Sequence, residues 1–235
     1  MRKILIAIAL LFGYISSVTA AGINVGISIT AGQFEADGAA EKFSGAHAGG
    51  TSPGDVTKKA SAEGDNAEAL FGFGSIFIEK TLGDRLAIGI DYVPTTLDTE
   101  TTENVQMADT PPTKPNGGTS QTNTVQVDFT DLTTIYLTFK LNDSIYVKAG
   151  HVSVDVETNE LLASGGAYND TDLDGTMLAI GYNREIGGGS GFLRLEAHTL
   201  ELDGVTLTNT ADSTKSVTAD GVSGYGAKLS IGRSF

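Results

Sequence analysis

The sequence predicts an all-β fold, an eight-stranded antiparallel up-and-down transmembrane β-barrel. Three observations carry that expectation. Apolar and polar residues alternate along eight separate stretches, as they do in strands whose two faces meet different media. The connections between those stretches alternate between long and tight. An export leader precedes them, and no later stretch is apolar enough to cross a bilayer as a helix.

Composition narrows the function classes first. The chain has 235 residues, a formal charge of −14, 30 Gly, no Cys and no Trp. With 40% apolar residues and a mean hydropathy of zero, it is neither a disordered tail nor a bundle of membrane helices. A length of this size allows one domain or two small ones. The pI near 4.4 argues against nucleic acid, whose phosphates need a basic footprint. Zero Cys excludes a disulfide framework, thiol catalysis, Cys-ligated zinc and an N-terminal lipid anchor.

Arg2 and Lys3 form a short positive region ahead of the apolar run Ile4 to Val18, and Val18-Thr19-Ala20 places small residues where a signal peptidase cuts. Residues 1–20 are therefore expected to be a cleaved signal peptide and residues 21–235 the barrel domain. Removing Arg2 and Lys3 takes the charge from −14 to −16.

The strands follow in order. Ile23, Val25, Ile27, Ile29 and Ala31 alternate with small or polar residues in the first, which ends at Phe34. The second, Leu70 to Lys80, has mixed parity, with Phe71, Phe73 and Phe77 on one face and Ile76 and Ile78 on the other. Leu82-Gly83-Asp84 turns the chain into the third, where Leu86, Ile88, Ile90 and Tyr92 share a face and Pro94 stops the run. The fourth, Val125 to Leu141, carries apolar residues at odd positions throughout and turns at Asn142-Asp143. In the fifth, Ile145 to Val156, the apolar parity switches near Gly150; a β-bulge or emergence from the membrane would explain it. The sixth, Thr176 to Arg184, aligns Leu178, Ile180 and Tyr182, and Gly187-Gly188-Gly189 turns it. The seventh sets Leu193, Leu195 and Ala197 against Arg194, Glu196 and His198, with Val205 and Leu207 as an extension. The eighth aligns Tyr225, Ala227, Leu229, Ile231 and Phe235.

Connections after the odd strands are long and those after the even strands short, as in barrels with periplasmic turns and extracellular loops. That orientation fixes the height of each aromatic residue. Phe34, Phe71, Phe73, Tyr92, Phe129 and Tyr225 fall toward the loop end, and Phe139, Tyr146, Tyr182, Phe192 and Phe235 toward the turn end. Two interfacial aromatic girdles are the expectation.

These residues carry a resemblance. Phe235 preceded by Ile231, Leu229 and Ala227 resembles the signal read by the barrel-assembly machinery, with Arg233 at a position that is usually apolar. With the leader and eight strands, the mature chain resembles the small OmpA/OmpX-like family of bacterial outer-membrane barrels. The runs Asp174-Gly175 to Gly181-Tyr182 and Phe192-Leu193-Arg194-Leu195-Glu196 are similar to barrels of marine proteobacteria. The resemblance implies a bacterial outer-membrane location and contact with membrane lipid and lipopolysaccharide; because the chain ends on the last strand, the peptidoglycan-binding domain of some relatives is not expected.

An eight-stranded barrel is just wide enough for side chains to fill. Asp91, Tyr136, Lys148, Arg194, Glu196, His198 and Lys228 are the lumen-facing candidates, and both charge signs occur among them. An internal hydrogen-bonded network is one reading, since buried charges persist when paired. A narrow or gated pore for small solutes is the other, and Gly at 26, 89, 181, 226 and 232 would leave it free space. The acidic loops suit recognition of phage or another surface ligand.

Metal and catalysis are weighed on few residues. Asp170, Asp172 and Asp174 with Gly175 match the start of an EF-hand loop, but the position for the bidentate Glu is Gly181, so an EF-hand is rejected. A loose divalent site at the three Asp is a weak candidate beside a solvated strand end. His47 falls in a Gly-rich loop, and Pro111-Pro112 to Gly118 reads as linker. His151 and Ser153 share a face and resemble the His-x-Ser pair of outer-membrane lipid A deacylases. Glu157 and Glu185 are not obviously placed to orient that His. No cofactor and no enzymatic activity are expected. A structural and surface-recognition barrel is the leading reading.

Overall fold

In the computed structural model of the protein, residues 22–38, 40–43, 55–59, 67–98, 102–107, 120–162, 166–213 and 215–235 are described. The expected leader, His47 and the Pro111 to Gly118 run lie outside them. Twelve strands occur among the described residues: β1 (Ile23–Asp37), β2 (Ala40–Phe43), β3 (Asp55–Lys59), β4 (Ala67–Leu82), β5 (Leu86–Tyr92), β6 (Leu97–Asp98), β7 (Thr102–Met107), β8 (Ser120–Lys140), β9 (Ile145–Leu161), β10 (Thr171–Ile186), β11 (Gly191–Thr208) and β12 (Lys215–Ser234). Eight of them, β1, β4, β5 and β8 to β12, pair antiparallel in chain order, and β12 closes on β1. The other four are short loop strands. The β2–β3 hairpin extends β12 upward, while β6 and β7 extend the wall along β8.

Closure follows from the backbone's need for partners, since an open edge in lipid would leave its N–H and C=O groups unsatisfied. Ile23 and Phe235 exchange both backbone hydrogen bonds at the seam. Following paired residues from Val25 through Ile78, Ile90, Ile135, His151, Thr176, Glu201 and Ser223 returns to β1 at Glu35. The shear is thus ten residues (35 − 25). With a rise of ~3.3 Å per residue and a strand spacing of ~4.8 Å, eight strands tilt about 40° from the barrel axis.

Tight turns occupy one end. Gly83, at φ +72°, allows the β4–β5 reversal, and Asn142 Oδ1 accepts the backbone N–H groups of Ser144 and Ile145 between β8 and β9. The outer face carries a belt of exposed aliphatics, including Ile27, Ile29, Leu178, Ile180 and Leu195, each at least half exposed. The positions of the expected assembly signal, Ala227, Leu229 and Ile231 on β12 and Phe235 just after it, all face outward beside the closing strand β1.

Two parity expectations need correction. The fifth strand does not bulge at Gly150, because its pairing with β10 runs unbroken from Ile145 to Val156. Instead its inward face changes character, from Tyr146 and Lys148 below to Val152, Val154 and Val156 above. The irregularity lies one strand away. Between Thr130 and Thr133 β8 gains a residue relative to β9, and Asp131 takes φ +53°. Odd positions on β8 therefore do not share one face. Ile135, Leu137 and Phe139 point outward, whereas Val127 and Phe129 pack inside.

The girdles are also thinner than expected. Tyr92, Phe139, Tyr182, Tyr225 and Phe235 lie on the outer wall. Phe34, Phe71 and Phe73 instead stack on one another on the inner face, Phe129 packs into the interior, and Tyr146 and Phe192 are buried within the lumen. Height alone does not separate lipid-facing from lumen-facing rings; strand parity does.

Candidate functional site

The lumen is built in two layers, and the lower one is a charged floor. Its centre is Glu79 of β4, 1% exposed, which receives both terminal nitrogens of Arg194 on β11 at 2.8 and 3.2 Å. Asn24 Nδ2 and Thr138 Oγ1 donate to the same carboxylate at 2.8 and 3.2 Å. The guanidinium also donates through Nε to Asn183 and stands 4.5 Å from the Phe192 ring centre, a cation–π contact. Lys148 of β9 and the Tyr146 hydroxyl both donate to Glu196 of β11 at 2.5 and 2.6 Å. Lys148 also sits 4.3 Å from the Tyr136 ring centre. Higher up, Lys228 of β12 pairs with Asp91 of β5 at 2.9 Å.

None of these three ion pairs joins neighbouring strands. They link β4 to β11 and β5 to β12 across three strand steps, and β9 to β11 over the intervening β10. Three carboxylates match three cations, and the floor is electrically balanced. Ions this deep persist because each is paired, and Glu79, Arg194 and Glu196 make further hydrogen bonds to Asn24, Thr138, Asn183 and Tyr146.

Rings cover the lumen-facing glycines. A Cβ at Gly26, Gly89, Gly181 or Gly232 would collide with the ring of Phe77, Tyr136, Tyr146 or Phe192 respectively, and one at Gly226 would crowd the His198 imidazole and the Ala31 carbonyl. Each of those four glycines faces its ring directly across a strand pair. The rings lie down over the glycine backbones and fill the space that side chains would have taken. Replacing Gly181 with Ala is expected to displace Tyr146 from Glu196 and to cost about 1–3 kcal/mol, as overpacking does. Urea unfolding in phospholipid vesicles measures it.

The upper layer is apolar. Val93, Leu132, Val152, Val154, Val156, Leu173, Leu200 and Leu202 form a buried cluster, with Phe34, Phe73, Val127 and Phe129 packed against it. The ion-paired network thus fills the floor, and apolar side chains fill the layer above it.

All seven lumen candidates face inward. Asp91, Tyr136, Lys148, Arg194, Glu196 and Lys228 join the floor described above, and His198 stands over it, half-buried, with Nδ1 unpartnered. Sequence reasoning missed the central acid. Glu79 shares the parity of Phe77, opposite the outward Ile76 and Ile78, and an acid on the lumen-facing parity was the signal.

On the outer wall, His151 Nε2 lies 3.2 Å from Asp174 Oδ1, with both side chains more than half exposed. The acid beside His151 is thus Asp174 rather than Glu157 or Glu185. Among the described residues no hydrogen bond joins Ser153 to His151. The three Asp of the weak metal candidate do not converge, since Asp170 accepts the Thr158 N–H while Asp174 meets His151. No group of three or more metal-ligating side chains gathers among the described residues.

No family model matches the chain, and no curated protein matches it. Solved structures do. The outer membrane protein AlkL, solved by solid-state NMR in lipid bilayers, is 15% identical over 92% of this chain and 89% of its own, with a TM-score of 0.46. Ail of Yersinia pestis, solved with a heparin analogue, is 9% identical over 88% and 98%, with a TM-score of 0.37. The outer membrane protease OmpT of Escherichia coli is 8% identical over 93% and 99%, also at 0.37.

Proposed function

We propose that the protein is an integral outer-membrane barrel with a closed lumen, serving a structural and surface-recognition role through its acidic loops and without enzymatic activity. The observation that supports it most is the set of three ion pairs joining non-neighbouring strands inside the lumen, seated among rings that cover the glycines. Opening a water path would separate charges that are 15% exposed or less. The outer belt supports the membrane placement. Isoleucines and leucines at 55–64% exposure on β1, β10 and β11 are not left to water over so wide a patch. The belt meets His151 and Asp174 above and Arg184 and Arg233 below, as a lipid-facing band bounded by two interfaces does.

Lipid, lipopolysaccharide and the barrel-assembly machinery are the partners this reading implies. A phage or other surface ligand would meet the loop end, where the β2–β3 hairpin and the β6 and β7 extensions raise the wall. Liposomes carrying the purified protein, placed in an isosmotic solution of a small neutral sugar, are expected to swell no faster than protein-free liposomes. Swelling that rises in proportion to the protein content would establish the channel reading instead.

A further inference from the structure

The outer wall sorts its charges by height. Above the apolar belt, the outward charges on the strands include Asp155, Asp172, Asp174 and Glu201. Below it, among the described residues, they are Lys80, Arg184 and Arg233. Arg233 is also the residue at which the C-terminal segment departs from the usual assembly signal.

The strand tilt brings the two arginines level. Paired rows climb from β10 toward β12, in the same sense in which the row through Val25 returns at Glu35. At a tilt of about 40°, each strand step lifts a row by about 3 Å, and two residues along a strand span about 5 Å of height. Arg184 shares its row with Leu193 and Ile231, and Arg233 lies two residues below Ile231. Two steps up and two residues down cancel to within about 2 Å, leaving the Cα atoms about 12 Å apart at one height. Lys80 repeats the step on the other side. Arg233 pairs with Val25 and Val25 with Ile78, and Lys80 lies two residues below Ile78.

Between the arginines, β11 presents Leu193 and Gly191 outward and no acid. Among the described residues no carboxylate pairs with Arg184 or Arg233. The Arg233 guanidinium instead lies 5.4 Å from the Phe235 ring centre, which holds it along the wall. Every cation of the lumen floor has its carboxylate, and these two on the outside do not. Directly above them, Ile180, Leu195 and Leu229 belong to the exposed belt.

We propose that Arg184 and Arg233 together hold the phosphate of one anionic glycerophospholipid in the leaflet at the turn end, with its acyl chains lying on Ile180, Leu195 and Leu229. The proposal rests on the membrane placement given above. Guanidinium groups are always charged and suit phosphate oxygens, so two of them at one height make a bridging clamp. A free anion would use the clamp but not the apolar wall above it. A zwitterionic headgroup would bring its own ammonium toward the arginines, which an anionic one does not.

The test uses the full protein in nanodiscs of equal parts phosphatidylglycerol and phosphatidylethanolamine with identical acyl chains. Mass spectra of the folded protein released from them are expected to show one phosphatidylglycerol retained at least fivefold more often than phosphatidylethanolamine. The Arg184→Gln/Arg233→Gln variant should bring the two lipids to within twofold of each other. Arg85→Gln/Lys140→Gln removes the same charge from the same end, but from the β4–β5 turn and the inward parity of β8, and should keep the preference. If the Arg184→Gln/Arg233→Gln variant fails to fold, as shown by its mobility on an unheated gel, Arg233→Gln alone should lower the preference at least twofold. Equal retention of the two lipids by the wild type, an equal fall in both double variants, or displacement of the lipid by excess inorganic phosphate would each overturn the proposal. Sugar permeation reports on the lumen and lipid retention on the outer wall, so either conclusion can fail alone.

Discussion

Glu79→Gln is expected to destabilise the barrel by about 3–5 kcal/mol, the loss that follows when one partner of a buried ion pair is removed. The amide keeps the shape of the side chain but leaves the Arg194 guanidinium, 7% exposed, with no carboxylate to face. Asn24 and Thr138 lose their charged acceptor at the same time. The urea midpoint in phospholipid vesicles, followed through tyrosine fluorescence because the chain has no Trp, reports the change. Adding Arg194→Met to the same chain should recover part of the loss, because the uncompensated charge is then gone. A Glu79→Gln protein as stable as the wild type would mean that the floor is not held by this pair.

A second large effect is expected from Val154→Asp. Val154 is 1% exposed inside the apolar upper layer. The substitution removes its apolar burial and places a carboxyl group where the cluster offers no hydrogen bond. The two contributions together come to at least about 3 kcal/mol. The adjacent Asp155, half-buried, points the other way, and Asp155→Asn should stay within about 0.5 kcal/mol, as substitutions outside the core usually do. The contrast between neighbours tests both the parity of β9 and the apolar nature of the upper lumen. Equal tolerance at 154 and 155 would contradict both.

Much of this architecture can be read from alternation. The eight stretches of period two match the barrel strands in number and order, and their outward residues form the observed belt. The seven lumen candidates are legible because a polar side chain on the face opposite a run of Ile and Leu has only the lumen to go to. What alternation does not show is how the lumen changes with height. Val152, Val154 and Val156 resemble lipid-facing residues by type, and only the unbroken register with β10 places them inside. The β8 bulge at Asp131 likewise inverts the faces of Val127 and Phe129 without a Gly or Pro to mark it. Glu79 escaped notice because its strand mixes aromatic and aliphatic residues on both faces. The pairing of Gly26 with Phe77 or Gly181 with Tyr146 depends on register between strands, which hydropathy along one strand does not encode.

The central claim is that the charged floor seals the lumen. Purified full-length protein inserted into a planar lipid bilayer at neutral pH and high salt, with current recorded over a range of both voltage polarities, tests it most directly. The account predicts insertion without any steady open level, because in the proposed closed lumen the ion pairs of Glu79, Glu196 and Asp91 would have to separate before an ion could pass. A persistent, uniform single-channel conductance in the wild-type protein would contradict it.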